Sequence, residues 1–207
     1  YLDATTVIQN AVIAERKGFD AFVLGNSLDA GFHEAKEMVN IPILSYLQTS
    51  LMCMSMMARN FAMIVPHRKF IPVWEEKVAS HGYRDRLVSI EGIDMRPSEI
   101  EQTFTNREYE AQQVQRVIAL AKKAAAAGAE IILPLPSSWY LRLAKNGVTE
   151  VDGVPLFNGI PALVKLAEFM VNYRKITGVF ISRKLTYASP PKELIEQVMA
   201  RHNLSLA

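Results

Sequence analysis

The alternation of short apolar runs with longer amphipathic segments constrains the fold of this chain more than any other feature. The runs are almost continuously aliphatic, which is typical of parallel strands covered on both faces. They lie at residues 21–24, 41–44, 61–65, 131–133, 154–157 and 179–181. Between them, apolar residues recur with the helical period, most clearly at 114–121, 160–171 and 194–199. Repeated β-α alternation predicts an α/β fold with doubly wound parallel sheets.

The sequence also resembles itself over a long interval. Three pairs of segments match in the same order: 18–27 with 128–137, 40–45 with 153–158, and 67–69 with 182–184. A spacing this long is not a solenoid period, so a duplication would give two similar lobes. We therefore predict a single unit, 1–207, of two pseudo-symmetric α/β lobes with approximate halves 14–70 and 124–185 and a ligand cleft between them. The alternative is that any two β-α-β units look alike at this level.

The charge balance excludes several classes of partner. The 207 residues include 23 Lys+Arg and 21 Asp+Glu, which gives a net charge of +2. Such a balance does not favour binding to nucleic acid or to a membrane surface by bulk charge. The longest uncharged run, 38–58, contains Pro42 and several polar residues. It is better explained by a buried strand followed by a buried helix than by a membrane span.

Cysteine usage and the first residue bear on location and processing. Cys53 is the single cysteine, so an internal disulfide framework and a cysteine metal cluster are excluded and a reducing, cytoplasmic compartment is expected. It lies in a Met-rich stretch typical of a core, where a thiol is usually inert. The chain starts at Tyr1 without a signal-peptide pattern. We expect that it is trimmed from a longer sequence.

Two turns are the candidate ligand site, because ligands in open α/β sheets bind at the carboxyl ends of strands. The first turn holds Asn26 and Ser27, and the second holds Pro136, Ser137 and Ser138. Turns of this kind facing each other would enclose a small polar ligand, and backbone N–H groups at helix starts would favour an anion. The alternative for each serine is a helix N-cap, which would explain it completely.

Basic residues after the predicted strand 61–65 could also serve the site. His67 could be a general base or an anion donor, and Arg68 could bind a substrate carboxylate or belong to a solvated rim. His33, His81 and His202 are expected to be structural or on the surface. The sequence has no clustered metal ligands, no GxGxxG and no GxxxxGK[ST] motif, so neither a metal nor a cofactor is expected.

Several segments resemble the Asp/Glu/hydantoin racemase superfamily, in particular its hydantoin racemase branch. They follow one another along nearly the whole chain, at 20–32, 61–75, 128–133, 153–168 and 182–192. The family's opening strand, with its Asn-Pro-Asn signature, has no counterpart. The resemblance therefore implies that the native N-terminal strand is missing.

The resemblance implies cofactor-independent proton transfer by two cysteines on opposite faces of a carbon acid, and a homo-oligomer. The two cysteine positions are Asn26 and Pro136 here, and neither side chain is a proton base. We therefore expect non-standard chemistry on a small carboxylate, amino-acid derivative or hydantoin-like cyclic amide, with His67 as the one remaining base. The alternatives are a non-catalytic carboxylate-binding protein, or a decarboxylase, lyase or serine hydrolase on the same fold, although a Ser-His-acid set is not identifiable.

Overall fold

The computed structural model describes residues 2–201 and contains α-helices and short strands in alternation. In chain order the elements are α1 (Leu2–Arg16), β1 (Phe22–Leu24), α2 (Phe32–Met38), β2 (Ile43–Ser45), α3 (Tyr46–Met57), β3 (Phe61–Val65), α4 (Ile71–Ser80), β4 (Leu87–Gly92), α5 (Pro97–Thr105), α6 (Arg107–Ala126), β5 (Ile131–Pro134), α7 (Ser138–Lys145), β6 (Glu150–Val151), β7 (Val154–Pro155), α8 (Gly159–Thr177) and α9 (Lys192–Arg201). Short 3-10 helices precede α4, at Arg68–Phe70, and β4, at Arg84–Arg86.

The chain divides into two compact units. Unit 1 comprises Tyr1–Leu47 with Pro161–Ala207, and unit 2 comprises Gln48–Ile160. In unit 1, β1 and β2 pair in parallel, and α1 packs against α2 over an apolar core that includes Phe32 and Val39. None of the helices in residues 2–201 is both long and apolar enough to cross a membrane.

Unit 2 is built on a three-stranded parallel sheet in the order β4-β3-β5. The central strand β3 is buried at all five positions, which is why its sequence is uninterrupted hydrophobic residues. Helix α6 packs on β3 and β4 through Val114, Val117 and Ala121. Strands β6 and β7 form a small antiparallel hairpin, and Leu156 continues it with a parallel bridge to Ile132 on β5.

The α/β class with parallel sheets is confirmed, and so are the helices predicted from periodicity. Two of the predicted strands were wrong in whole or in part. Residues 179–181 do not form a strand: they follow the end of α8, and Val179 is 58% exposed. Residues 154–157 contribute only two residues, Val154–Pro155, to an antiparallel pair. The duplication into halves 14–70 and 124–185 stays a prediction.

Strand β4 is not predicted by the sequence pattern. It lies at the edge of the sheet, and Ser89 and Glu91 interrupt its apolar residues. Glu91 is mostly buried, and its Oε2 accepts a hydrogen bond from Lys123 Nζ at 2.8 Å. The polar interruptions therefore reflect an edge position with a charged partner on α6, not a loop.

Replacing Gly31 by Ala is expected to destabilise the protein by about 2–4 kcal/mol. Gly31 has a φ of +72°, and an added Cβ would lie 2.6 Å from the carbonyl oxygen of Ala4 on α1. The matched control is Gly18→Ala, because Gly18 has a φ of +79° but no atom within 4 Å of an added Cβ. Urea unfolding should show a larger decrease in the free energy of unfolding for Gly31→Ala than for Gly18→Ala. Equal losses would mean that the approach of α1 to Gly31 imposes no steric constraint.

Candidate functional site

The candidate site of unit 2 lies at the carboxyl ends of β3, β4 and β5, which meet at one edge because the strands are parallel. We call it the strand-end site; it comprises residues 66–68, 93–95 and 135–138. Backbone hydrogen bonds hold its segments together: Ile93 N–H donates to Val65 O at 2.9 Å, and Leu135 N–H donates to Ile64 O at 2.7 Å. The strand-end site thus contains His67, Arg68, Pro136, Ser137 and Ser138, five of the seven residues predicted from sequence.

Asp94 organises one side of this site and was not predicted. Its Oδ1 accepts a hydrogen bond from the backbone N–H of Arg68 at 2.9 Å, and its Oδ2 accepts one from Arg68 Nε at 2.6 Å. These hydrogen bonds from Arg68 lower the pKa of Asp94 to about 2. Asp94 is therefore a carboxylate throughout the physiological range. The only hint in the sequence was its place after β4, which itself was missed.

The guanidinium of Arg68 is engaged by this carboxylate. Its Nη2 also contacts Asp94 Oδ2, while the side chain is 75% exposed. Close backbone packing fixes the arrangement, because a Cβ added at Gly92 would lie 2.6 Å from Arg68 N. The predicted role of Arg68 in substrate binding stays a prediction, and it depends on the nitrogen that Asp94 does not occupy.

His67 caps the 3-10 helix Arg68–Phe70. Its Nδ1 accepts a hydrogen bond from the backbone N–H of Lys69 at 3.0 Å. A backbone amide can only donate, so the neutral imidazole holds its proton on Nε2 in this arrangement. Asp94 Oδ1 lies 3.7 Å from Nδ1, too far for a hydrogen bond. The side chain is 39% exposed, so a ligand can reach the ring.

The serine-rich turn after β5 leads into α7. Ser137 is the N-cap residue, but its side chain makes no capping hydrogen bond, and Ser138 is the first residue of the helix. Trp139 N–H closes the turn by donating to Pro136 O at 2.9 Å. Capping therefore does not explain the Ser137 hydroxyl, contrary to the alternative considered from sequence. All three residues of 136–138 are half-buried.

In unit 1, the turn after β1 carries the other two predicted residues. Asn26 is exposed, and its Oδ1 accepts a hydrogen bond from Leu28 N–H at 2.7 Å. This leaves the carboxamide NH2 as the group that could donate to a ligand. Ser27 is half-buried, and it is not the N-cap of α2, because that position is Gly31. The N-cap explanation for Ser27 is therefore wrong.

Two titratable residues considered from the sequence, Cys53 and His33, lie on other elements, α3 and α2. Burial raises the pKa of the half-buried Cys53 thiol on α3, which disfavours the thiolate. His33 Nδ1 is 2.9 Å from the hydroxyl of Tyr187 in unit 1, and His202 lies outside the described residues. Across residues 2–201, no three His, Cys, Asp or Glu side chains come together as a possible metal site.

The profile of the Asp/Glu/hydantoin racemase family matches residues 2–167. The chain belongs to this family. It is 30% identical to the hydantoin racemase of Pseudomonas sp. (strain NS671) over 93% of this chain and 73% of that protein. It is 28% identical to the hydantoin racemase of Rhizobium meliloti over 85% of this chain and 68% of that one.

Solved structures share the fold. Allantoin racemase from Klebsiella pneumoniae superimposes with a TM-score of 0.70 at 19% identity, over 91% of this chain and 73% of that one. Allantoin racemase from Pseudomonas fluorescens gives 0.68 at 21% identity, over 89% and 77%. A mutant arylmalonate decarboxylase in a sulfate-associated form gives 0.53 at 12% identity, over 83% and 75%.

Proposed function

We propose that this protein catalyses cofactor-independent proton transfer at an acidic carbon of a small carboxylate, amino-acid derivative or hydantoin-like cyclic amide, with chemistry that does not use two thiols. Membership of the racemase family and the two hydantoin racemases it resembles support the substrate class. The observation that carries the proposal is the position of His67, a reachable imidazole at the carboxyl end of β3 beside the Asp94 carboxylate.

His67 can take two hydrogen-bonded arrangements with different chemistry. While Nδ1 accepts from Lys69 N–H, Nε2 carries a proton and donates to a substrate oxygen. If the ring moves toward Asp94, now 3.7 Å away, Nδ1–H donates to the carboxylate and Nε2 becomes a base. Asp94 is thus proposed as the positioning residue that selects the basic tautomer, as carboxylates do for other catalytic histidines.

The remaining predicted residues are proposed to bind the substrate anion. The hydroxyls of Ser137 and Ser138 and the N–H groups of the first turn of α7 are donors of the kind that stabilise an enolate as charge develops. The binding roles of Asn26 and Ser27, on the turn after β1 in unit 1, stay predictions from the sequence. Pro136, which by the resemblance takes the place of an ionisable cysteine, contributes neither a proton-transferring group nor a side-chain donor.

One proton-transfer residue limits the reaction types. Racemisation with two bases needs a group on each face of the carbon, whereas a single imidazole suffices for proton exchange, elimination, isomerisation or protonation after decarboxylation. The fold shared with arylmalonate decarboxylase shows that this architecture also occurs in a protein named for decarboxylation. Homo-oligomerisation, implied by the resemblance, and a cytoplasmic location, expected from the cysteine content, are part of this proposal.

The test is proton NMR in D2O with a panel of hydantoins, aspartate, glutamate, arylmalonates and maleate. We expect loss of the signal from the acidic C–H, or a new species, with at least one panel member. The Ser137→Ala/Ser138→Ala variant should weaken that substrate's binding. Saturable binding of a carboxylate without exchange or conversion would instead support the second candidate, a non-catalytic binding protein. That candidate is favoured by the capping bond of His67, which gives the imidazole a structural role.

A further inference from the structure

A buried cation lies directly behind the serine turn of the strand-end site. Arg142, on α7, is only 6% exposed. Its Nη1 donates a hydrogen bond to the carbonyl oxygen of Ser138 at 3.0 Å, so the guanidinium lies under the first turn of the helix. The proposed function does not use this residue.

The positive charge of Arg142 is incompletely compensated. Glu110 on α6 is its acidic partner, but Oε1 lies 3.9 Å from Nε, beyond hydrogen-bonding distance. Among the described residues, Arg142 Nη2 is buried and has no hydrogen-bond partner. A buried guanidinium costs free energy unless it is paired and fully hydrogen-bonded. Packing alone therefore does not account for an arginine at this position.

Aromatic rings exclude water from the same guanidinium. Its central carbon lies 4.0 Å from the ring centroid of Phe104 and 5.3 Å from that of Trp139. Phe104 is itself 68% exposed, so it covers the charge from the solvent side. With water excluded, the field of the charge reaches further than it would at the surface. Burial accordingly lowers the pKa of Arg142, and Glu110 opposes that shift.

We propose that Arg142 makes the strand-end site selective for anionic ligands over neutral ones of the same shape. It acts through the first turn of α7, as a positioning residue that never touches the substrate. Its charge adds to the positive end of the helix, where the Ser137 and Ser138 donors would bind a carboxylate. The inference rests on the proposed function for the place where substrate binds, and it adds the charge class: a carboxylate or an equivalent oxyanion.

Phenylmalonate and phenylmalonamide test this selectivity, because they share a shape and differ in charge. Calorimetry gives both affinities, with NMR of the recovered ligand to detect any conversion. Glu110→Gln removes the opposing charge and should tighten phenylmalonate binding about threefold or more. The double variant Glu110→Gln/Arg142→Gln removes both charges, so that no lone carboxylate is left buried. It should weaken phenylmalonate binding about tenfold. Phenylmalonamide binding should stay constant.

A structural role alone would give a different pattern. Three outcomes would each overturn the role of Arg142. They are equal changes in affinity for both ligands, no tighter phenylmalonate binding in Glu110→Gln, and a wild type that does not prefer phenylmalonate. Phe104→Ala adds a second measurement, because admitting water should reduce the preference for the anion while leaving Arg142 in place. Selectivity that follows these charges without turnover of any panel member would support Arg142 and reject the proposed chemistry. Turnover of a panel member, with the preference for the anion unaltered in these variants, would support the proposed chemistry and reject the role of Arg142.

Discussion

His67→Ala is expected to lower solvent-hydrogen exchange at the substrate carbon by about 10²–10⁴-fold, the usual contribution of a general acid or base. The physical reason, on the proposed function, is that Asn26 and Pro136, which the resemblance sets at the family's cysteine positions, offer no proton-transferring side chain. Within the strand-end site, the neutral imidazole of His67 offers one nitrogen that can take a proton and one that can give it. The measurement is the exchange rate by proton NMR in D2O, with whichever panel member the wild type processes.

Two further variants separate this chemistry from the capping role of His67. His67→Gln keeps an oxygen that can accept from Lys69 N–H, so it should retain the 3-10 helix and the thermal stability yet lose exchange as fully as alanine does. Asp94→Asn should lose activity more modestly and alter the pH profile, because the amide cannot select the basic tautomer. His81→Gln, at the end of α4, is the control for loss of a histidine. Full exchange activity in His67→Gln would remove the imidazole from the reaction.

The sequence predicted the fold best where burial is complete. Strand β3 has the predicted bounds because all five of its positions are covered, and such strands show an uninterrupted apolar run. In β4, an edge strand whose positions are mostly half-buried, this signal fails. The polar residues of β4 suggested no strand, although Glu91 finds its partner in Lys123 on a helix far along the chain. Local pattern carries no information about that partner.

For the candidate site, the sequence predicted which residues lie at the ends of strands but not which contacts they make. The rule that ligands bind at carboxyl ends of strands located His67 and the serine turn. Asp94 could not be found in this way, since its importance comes from the parallel pairing that sets it beside Arg68. Arg142 was equally hidden: in sequence it is one basic residue on a short helix, and only packing reveals that it is buried under Ser138.

Lys36 is expected to make the protein more stable as the pH rises above about 8. Its ammonium group lies 4.1 Å from the ring centroid of Phe32 and 5.2 Å from that of Tyr187. Burial lowers the pKa of Lys36 from 10.5 to about 8, with Asp29 opposing the shift. The charged form is therefore disfavoured in the folded state, at a cost of about 3 kcal/mol when both states are protonated.

The sign of the pH dependence follows from the two pKa values. Below pH 8 the lysine is protonated in the folded and the unfolded chain, so the full cost is present. Between pH 8 and 10.5 the folded state releases the proton first, the unfolded state binds more protons, and stability rises with pH. About 2 kcal/mol of the cost should be relieved by pH 9.5. Burial and Glu37 raise the pKa of Tyr187 above its usual value of 10, so this tyrosine opposes the rise in stability only as the pH approaches 10.

Urea unfolding of matched variants between pH 7 and 9.5 isolates the contribution of Lys36. Lys36→Met keeps an apolar stem and removes the charge, so it should be more stable than the wild type at pH 7 and lose the rise with pH. Asp29, His33, Glu37, Arg183 and Tyr187, the charged and titratable groups around this helix face, are unchanged in that variant. Lys165→Met is the control, because Lys165 is 75% exposed on α8 in the same unit and should leave the slope unaltered. A wild-type slope identical to that of Lys36→Met would show that Lys36 keeps its ordinary pKa in the folded protein.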